Sequence, residues 1–151
     1  MSSAKRMVPL LRRAQDRQDA VTRQLAERQK ALDTHQNRLA ELRQYADEYL
    51  HAPNLSTTTS GLLNRRAFLD RLEAAIRLQA QTVERNRVHV DAERGRLIAA
   101  SRERQVMEQL QGRYRAEERL ISVRRDQRVL DDLGARIARA RPSDFDPEHR
   151  P

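Results

Sequence analysis

The residues of this chain that could do chemistry are its four histidines, its carboxylates, its serines and a small set of aromatics. His35, His51, His89 and His149 lie too far apart in sequence to form a helical His-x3-His pair, and no cysteine joins them. Gly61, Gly95, Gly112 and Gly134 are isolated, so no glycine-rich loop exists to cradle a phosphate. No serine sits in a nucleophile-elbow pattern. Carboxylates are plentiful, but they fall on surface that reads as exposed helix, without the concave pocket that tunes an acid or a base. The sequence therefore predicts no catalysis by this chain alone, no cofactor and no metal. The chemistry left is adhesion.

Adhesion points to the aromatics, which are only 3% of the chain. One set at spacing 4-3-4 reads Arg38, Leu42, Tyr45 and Tyr49; a second reads Phe68, Leu72, Ala75 and Gln79. If the chain turns back on itself near residue 56, the two sets lie level. Two of the three tyrosines and one of the two phenylalanines then gather at one end. Two readings stay open. The sets simply widen an internal seam, with Leu42 and Leu72 serving both roles, or they form an exposed aromatic patch of the kind that marks a binding site.

Two heptad stripes position these residues. Steps of four and three from Met7 visit Leu11, Ala14, Gln18, Val21, Leu25, Arg28, Leu32, His35, Leu39, Leu42, Ala46 and Tyr49, with ten of the thirteen apolar. From Leu69 the same stepping visits Leu72, Ile76, Gln79, Val83, Asn86, Val90, Glu93, Leu97, Ala100, Arg104 and Met107, with eight of twelve apolar. A stripe that returns every 3.5 residues seeks another helix rather than a globular core. The polar members, Gln18, Arg28, His35, Gln79, Asn86, Glu93 and Arg104, read as register control: they cost stability and penalise wrong alignments.

Proline marks the boundaries. Pro9 suits a first helical turn. Pro53 opens a stretch rich in turn and capping residues, where Ser60 or a neighbouring Thr caps the next helix. Pro142, Pro147 and Pro151 end helical structure. The expected plan is one all-α unit over 1–141: helix 1 at about 7–51, a loop at 52–60, helix 2 at about 61–140, then a disordered tail at 142–151. At 1.5 Å per residue the helices would span roughly 65 Å and 120 Å, so the second outruns the first. The expected fold is an antiparallel coiled-coil hairpin in which helix 1 is used up near residue 107. There two three-residue steps in a row, ending at Leu110, predict a slip of the seam. The overhang at about 108–140 keeps apolar residues without an intrachain partner and is expected to dock on another protein.

Composition bounds the rest. Charged residues are 34% of 151, and the net charge is +8. It is spread as +3 over 1–51, +4 over 52–107 and +1 over 108–151, with acids interleaved throughout. Nucleic acid favours an unbroken basic stripe, so no nucleic-acid partner is expected. Pairs such as Asp19–Arg23, Glu73–Arg77 and Asp132–Arg136 instead read as solvated helix faces. The chain offers neither a secretory signal nor a stretch of about 18 apolar residues, so a cytoplasmic location is expected.

At this point the chain resembles the family of the flagellar export protein FliJ. The carrying residues are Leu42-x2-Tyr45-x3-Tyr49, Phe68-Leu-x2-Leu72-x2-Ala75-Ile76-x2-Gln79, and Arg124-Arg-Asp-Gln-Arg128 with Asp131-Asp132, in a plan that matches over about residues 5–140. The resemblance implies an antiparallel coiled coil similar to the central stalk of rotary ATPases, working in bacterial flagellum biogenesis and type III protein export. It implies three partners: the flagellar export ATPase, the cytoplasmic domain of the export-gate membrane protein, and export chaperones that the stalk escorts. It places the protein on the cytoplasmic face of the inner membrane at the flagellar base. The family's gate-binding residues map onto Leu42, Tyr45, Tyr49, Phe68, Leu72, Ala75 and Gln79. Arg38 stands where the family often has Gln, and Gln79 where it has His. The stalk of a virulence-type III secretion system shares the shape. A basic coiled coil that binds nucleic acid, and a plain scaffold, are the remaining readings.

Overall fold

A computed structural model describes residues 2–53 and 58–141, and these form two long α-helices, α1 (Ser3–His51) and α2 (Thr59–Ala140). The helices run antiparallel as a coiled-coil hairpin, and α2 is the longer, with 82 residues against 49. The expected tail at 142–151 lies outside the described residues.

Capping sets where each helix begins. The Ser2 hydroxyl accepts the Lys5 N–H at 3.3 Å, and the Ser2 carbonyl takes the Arg6 N–H at 3.2 Å. This N-cap starts α1 at Ser3, a turn before the Met7 expected from the sequence. Pro9 therefore lies inside the helix rather than in its first turn. It forfeits the bond to the Lys5 carbonyl, a cost of about 3 kcal/mol in a helix interior. Burial of Ala4 and Met7 works against that cost. At the other boundary the cap is a threonine near Ser60, Thr58. Its hydroxyl accepts the Gly61 N–H at 3.1 Å and its carbonyl the Leu62 N–H at 3.1 Å, so α2 starts two residues early.

The described residues fall into two compact units. The first is residues 13–105. Here the sequence stripes are the buried faces: on α1 each stripe position from Ala14 to Tyr49 is at least half-buried except Arg28, and on α2 each from Leu69 to Arg104 is. Ala14, Leu39, Leu72, Val83, Val90 and Ala100 form the core of the seam.

The polar members of the seam behave unequally. Gln79 Nε2 crosses to the His35 carbonyl at 3.0 Å and to His35 Nδ1 at 3.2 Å, and so fixes the pairing of the helices at that level. Asn86 turns back to its own helix, donating to the Thr82 carbonyl at 2.8 Å. Glu93 is buried with one oxygen on Arg96 Nη1 at 3.2 Å and the other without a partner; Gln18 Oε1 is likewise buried and unpaired. Two of these residues thus weaken the seam, while His35 and Gln79 set its register.

Arg17 and Glu103 close the same unit from outside, one guanidinium nitrogen meeting both carboxylate oxygens at 2.8 Å. Helical side chains lean toward their own N-terminus, so in an antiparallel pair two long residues reach toward each other along the seam. With both side chains partly exposed, such a pair contributes at most about 1 kcal/mol.

The second unit joins residues 2–12 with 106–141. Ala4 and Met7 of α1 are buried, as is Gln111 of α2, with Met107, Tyr114 and Glu118 half-buried beside it. The slip expected at Leu110 is not the main event: the seam steps regularly through 107, 111, 114 and 118, with the polar Gln111 at the buried place and Leu110 half-buried at its edge. The Ala4 N–H donates to Glu118 Oε1 at 3.1 Å, so a carboxylate of α2 satisfies one of the free amides at the start of α1. The unpaired part of α2 accordingly begins at Arg119 rather than 108, because α1 starts earlier and its first turn is engaged as far as Glu118. From Arg119 to Arg141 every residue is exposed.

Candidate partner-binding face

The end of residues 13–105 nearest the chain reversal holds the aromatic residues. Tyr49 and Phe68 meet with ring centroids 4.6 Å apart at 47°, and Tyr45 meets Phe68 edge-on at 6.2 Å and 77°. Offset and edge-to-face pairs of this kind contribute about 0.5–1.5 kcal/mol each beyond their buried area. Tyr49 and Phe68 are half-buried, whereas Tyr45 is 52% exposed. The cluster fastens the two helices together and still presents one tyrosine to solvent.

The rest of the sequence-derived set lies deeper. Leu72 is buried in the seam, and Leu42 and Ala75 are half-buried. Gln79 is half-buried and held by His35. The seven residues Leu42, Tyr45, Tyr49, Phe68, Leu72, Ala75 and Gln79 therefore divide into an aromatic cluster at the reversal and a stretch of seam below it. Six of the seven are at least half-buried between the helices, and Tyr45 is the exposed member.

One participant escapes the heptad count. Arg65 sits one turn before Phe68 on the same face of α2, and its guanidinium lies over the Tyr49 ring, 5.4 Å from the centroid. From there Nη2 donates to the Tyr49 carbonyl at 3.2 Å and the Leu50 carbonyl at 3.4 Å. These are among the last carbonyls of α1, which have no partner within the helix. His51 Nδ1 lies 2.7 Å from the Asp47 carbonyl in the same last turn. The available signal was an arginine three residues before an aromatic on an interfacial face.

Near the reversal Leu50, Leu62 and Leu63 are all about half exposed or more. A shallow groove runs between Tyr49, Pro53, Asn64, Arg65 and Phe68. Its chemistry is an apolar and aromatic floor with one delocalised cation, suited to a protein side chain. No group of His, Cys, Asp or Glu among the described residues is arranged to hold a metal ion. No described helix is long and apolar enough to cross a membrane.

The family model described as the flagellar FliJ protein matches residues 3–143, nearly the whole chain. The chain belongs to the FliJ family. Comparison with curated proteins and with solved structures finds no match. Membership of the family supports a stalk-type role in flagellar assembly and type III export. At the aromatic end Tyr45 is 52% exposed beside the packed rings of Tyr49 and Phe68.

Proposed function

We propose that this chain is a non-enzymatic stalk of the flagellar type III export apparatus that engages two partners through two different parts of the hairpin. The aromatic face at the reversal binds the cytoplasmic domain of the export-gate membrane protein through Leu42, Tyr45, Tyr49, Phe68, Leu72, Ala75 and Gln79. The paired helix ends away from it enter the export ATPase hexamer and promote its assembly. Escort of export chaperones is a third role of the same stalk, and its place is peripheral, on the cytoplasmic face of the inner membrane at the flagellar base.

The observation that carries the gate assignment is the exposure of Tyr45 on an aromatic cluster fixed by Tyr49, Phe68 and Arg65. An anchor residue held in place before binding loses little entropy on contact. Support for the stalk reading is the family match together with the long two-helix hairpin.

The test is co-elution of the purified chain with the export ATPase of the same organism, together with a measured rise in the ATPase hexamer fraction. No change in assembly state would remove the ATPase half of the proposal. The gate half stands or falls separately, on binding of the gate's cytoplasmic domain to wild type and to Tyr45→Ala.

A further inference from the structure

Residues 119–140 are helical, yet all are exposed, and none is buried against another of the described residues. An isolated helix of this length, with Gly134 inside it, is marginal in water. Its surface nevertheless carries a regular seam: Val123, Asp126, Leu130, Leu133, Ile137 and Ala140 follow each other at steps of three and four. Val123, Leu130 and Ile137 are each more than 60% exposed. This stripe is a coiled-coil half without its other half.

We propose that the other half is the same segment of a second copy, paired antiparallel about a two-fold axis. The alignment that sets Leu130 level with the partner copy's Leu133 also sets Val123 level with its Ala140, and symmetry makes each contact twice. Asp126 is the one carboxylate on the stripe. In a parallel pair it would face itself in an apolar layer, a like-charge contact that opposes that arrangement. In the antiparallel pair, Asp126 and the partner copy's Arg141 lean toward each other along the seam. Arg17 and Glu103 meet in this same manner inside the hairpin.

Of the residues flanking the seam between its end pairs, Ser122, Gln127, Val129 and Gly134 carry no charge, and Arg136 falls level with the partner copy's uncharged Gln127. Arg124, Arg125 and Arg128 lie on the outer side of the helix with Asp131 and Asp132, where Asp131 already takes the Gln127 amide at 3.3 Å. The seam thus has layers, end pairs and a symmetry that suit itself. The inference does not depend on the export reading, because it uses neither the aromatic face nor the paired helix ends.

Sedimentation equilibrium of the full chain at roughly 1 to 300 µM reads the result directly, this being a range in which a short helix pair associates measurably. The expected outcome is a monomer–dimer equilibrium. Leu133→Glu should raise the dissociation constant by more than about a hundredfold, since both copies lose a core leucine. Its circular dichroism should fall by no more than the share of residues 119–140, the part of α2 that the pairing supports. Asp126→Arg should weaken the dimer, and Asp126→Arg with Arg141→Asp should restore it. A monomer across the whole range, or a dimer indifferent to Leu133→Glu, overturns the proposal. Failure of the double charge exchange to restore association overturns the antiparallel alignment.

Discussion

Arg65, two turns into α2, closes the end of α1 by lying over the Tyr49 ring at 5.4 Å while donating to the Tyr49 carbonyl at 3.2 Å. One side chain thus does two jobs. It satisfies carbonyls that the helix leaves open, and it covers one face of the Tyr49 ring.

Replacing Arg65 tests the first job. Arg65→Ala removes a charged donor to two carbonyls and a cation–π contact, and should cost about 1–2 kcal/mol of stability. Arg65→Lys keeps the charge but not the planar fork, and should recover only part of that. Urea unfolding followed by circular dichroism reads both. Equal stability of all three proteins would show that water serves the carbonyls as well as the guanidinium does.

Glu118 performs the matching role at the start of α1, where its carboxylate takes the Ala4 N–H at 3.1 Å. A negative group at a helix N-terminus is stabilising by about 0.3–1 kcal/mol, so Glu118→Gln should destabilise only locally. The readout is amide hydrogen exchange of residues 4–7. It should accelerate in the variant while exchange in residues 30–46 stays unchanged. Unaltered exchange at Ala4 would mean that the Ser2 cap alone holds this end.

The seam was legible in the sequence because heptad spacing is a direct image of which face is buried. Leu39, Leu72, Val83, Val90 and Ala100 were named by spacing and are buried. What the spacing did not reach were places where a polar residue takes a buried position or an end is set by a cap. Gln111 is buried although it interrupts the apolar count, so a slip to Leu110 looked more natural. The start of α1 depends on one hydroxyl, Ser2, and a one-residue cap is a weak signal beside a Pro at position 9. At the aromatic end the rings were visible by type and spacing. Arg65 was not, because its role arises from a meeting of two helix ends that no periodicity records.

Glu93 offers a substitution that should stabilise. Its carboxylate is buried, held by Arg96 through one oxygen and by nothing through the other. Burying a half-satisfied charge is worse than burying an apolar side chain of similar volume. Glu93→Leu should therefore raise stability by about 1–2 kcal/mol, while Arg96, already largely exposed, loses little. The measurement is the urea midpoint. A lowered midpoint would show that the carboxylate has a partner in solution, and a change in sedimentation would show that Glu93 guards against wrong pairings.

The two tyrosines of the aromatic face should separate binding from stability. Tyr45 is 52% exposed and touches Phe68 only edge-on, so Tyr45→Ala should cost less than about 1 kcal/mol of stability. As an exposed anchor for the export gate it should still weaken binding about tenfold or more. Tyr49 packs on Phe68 at 4.6 Å and carries the Arg65 guanidinium, so Tyr49→Ala should lose about 2 kcal/mol of stability as well as affinity. Calorimetric titration with the gate's cytoplasmic domain, beside thermal unfolding, resolves the two effects. Tyr45→Ala binding as wild type, in a hairpin of normal stability, would leave the aromatic cluster as a clamp between helices and remove it as a gate contact.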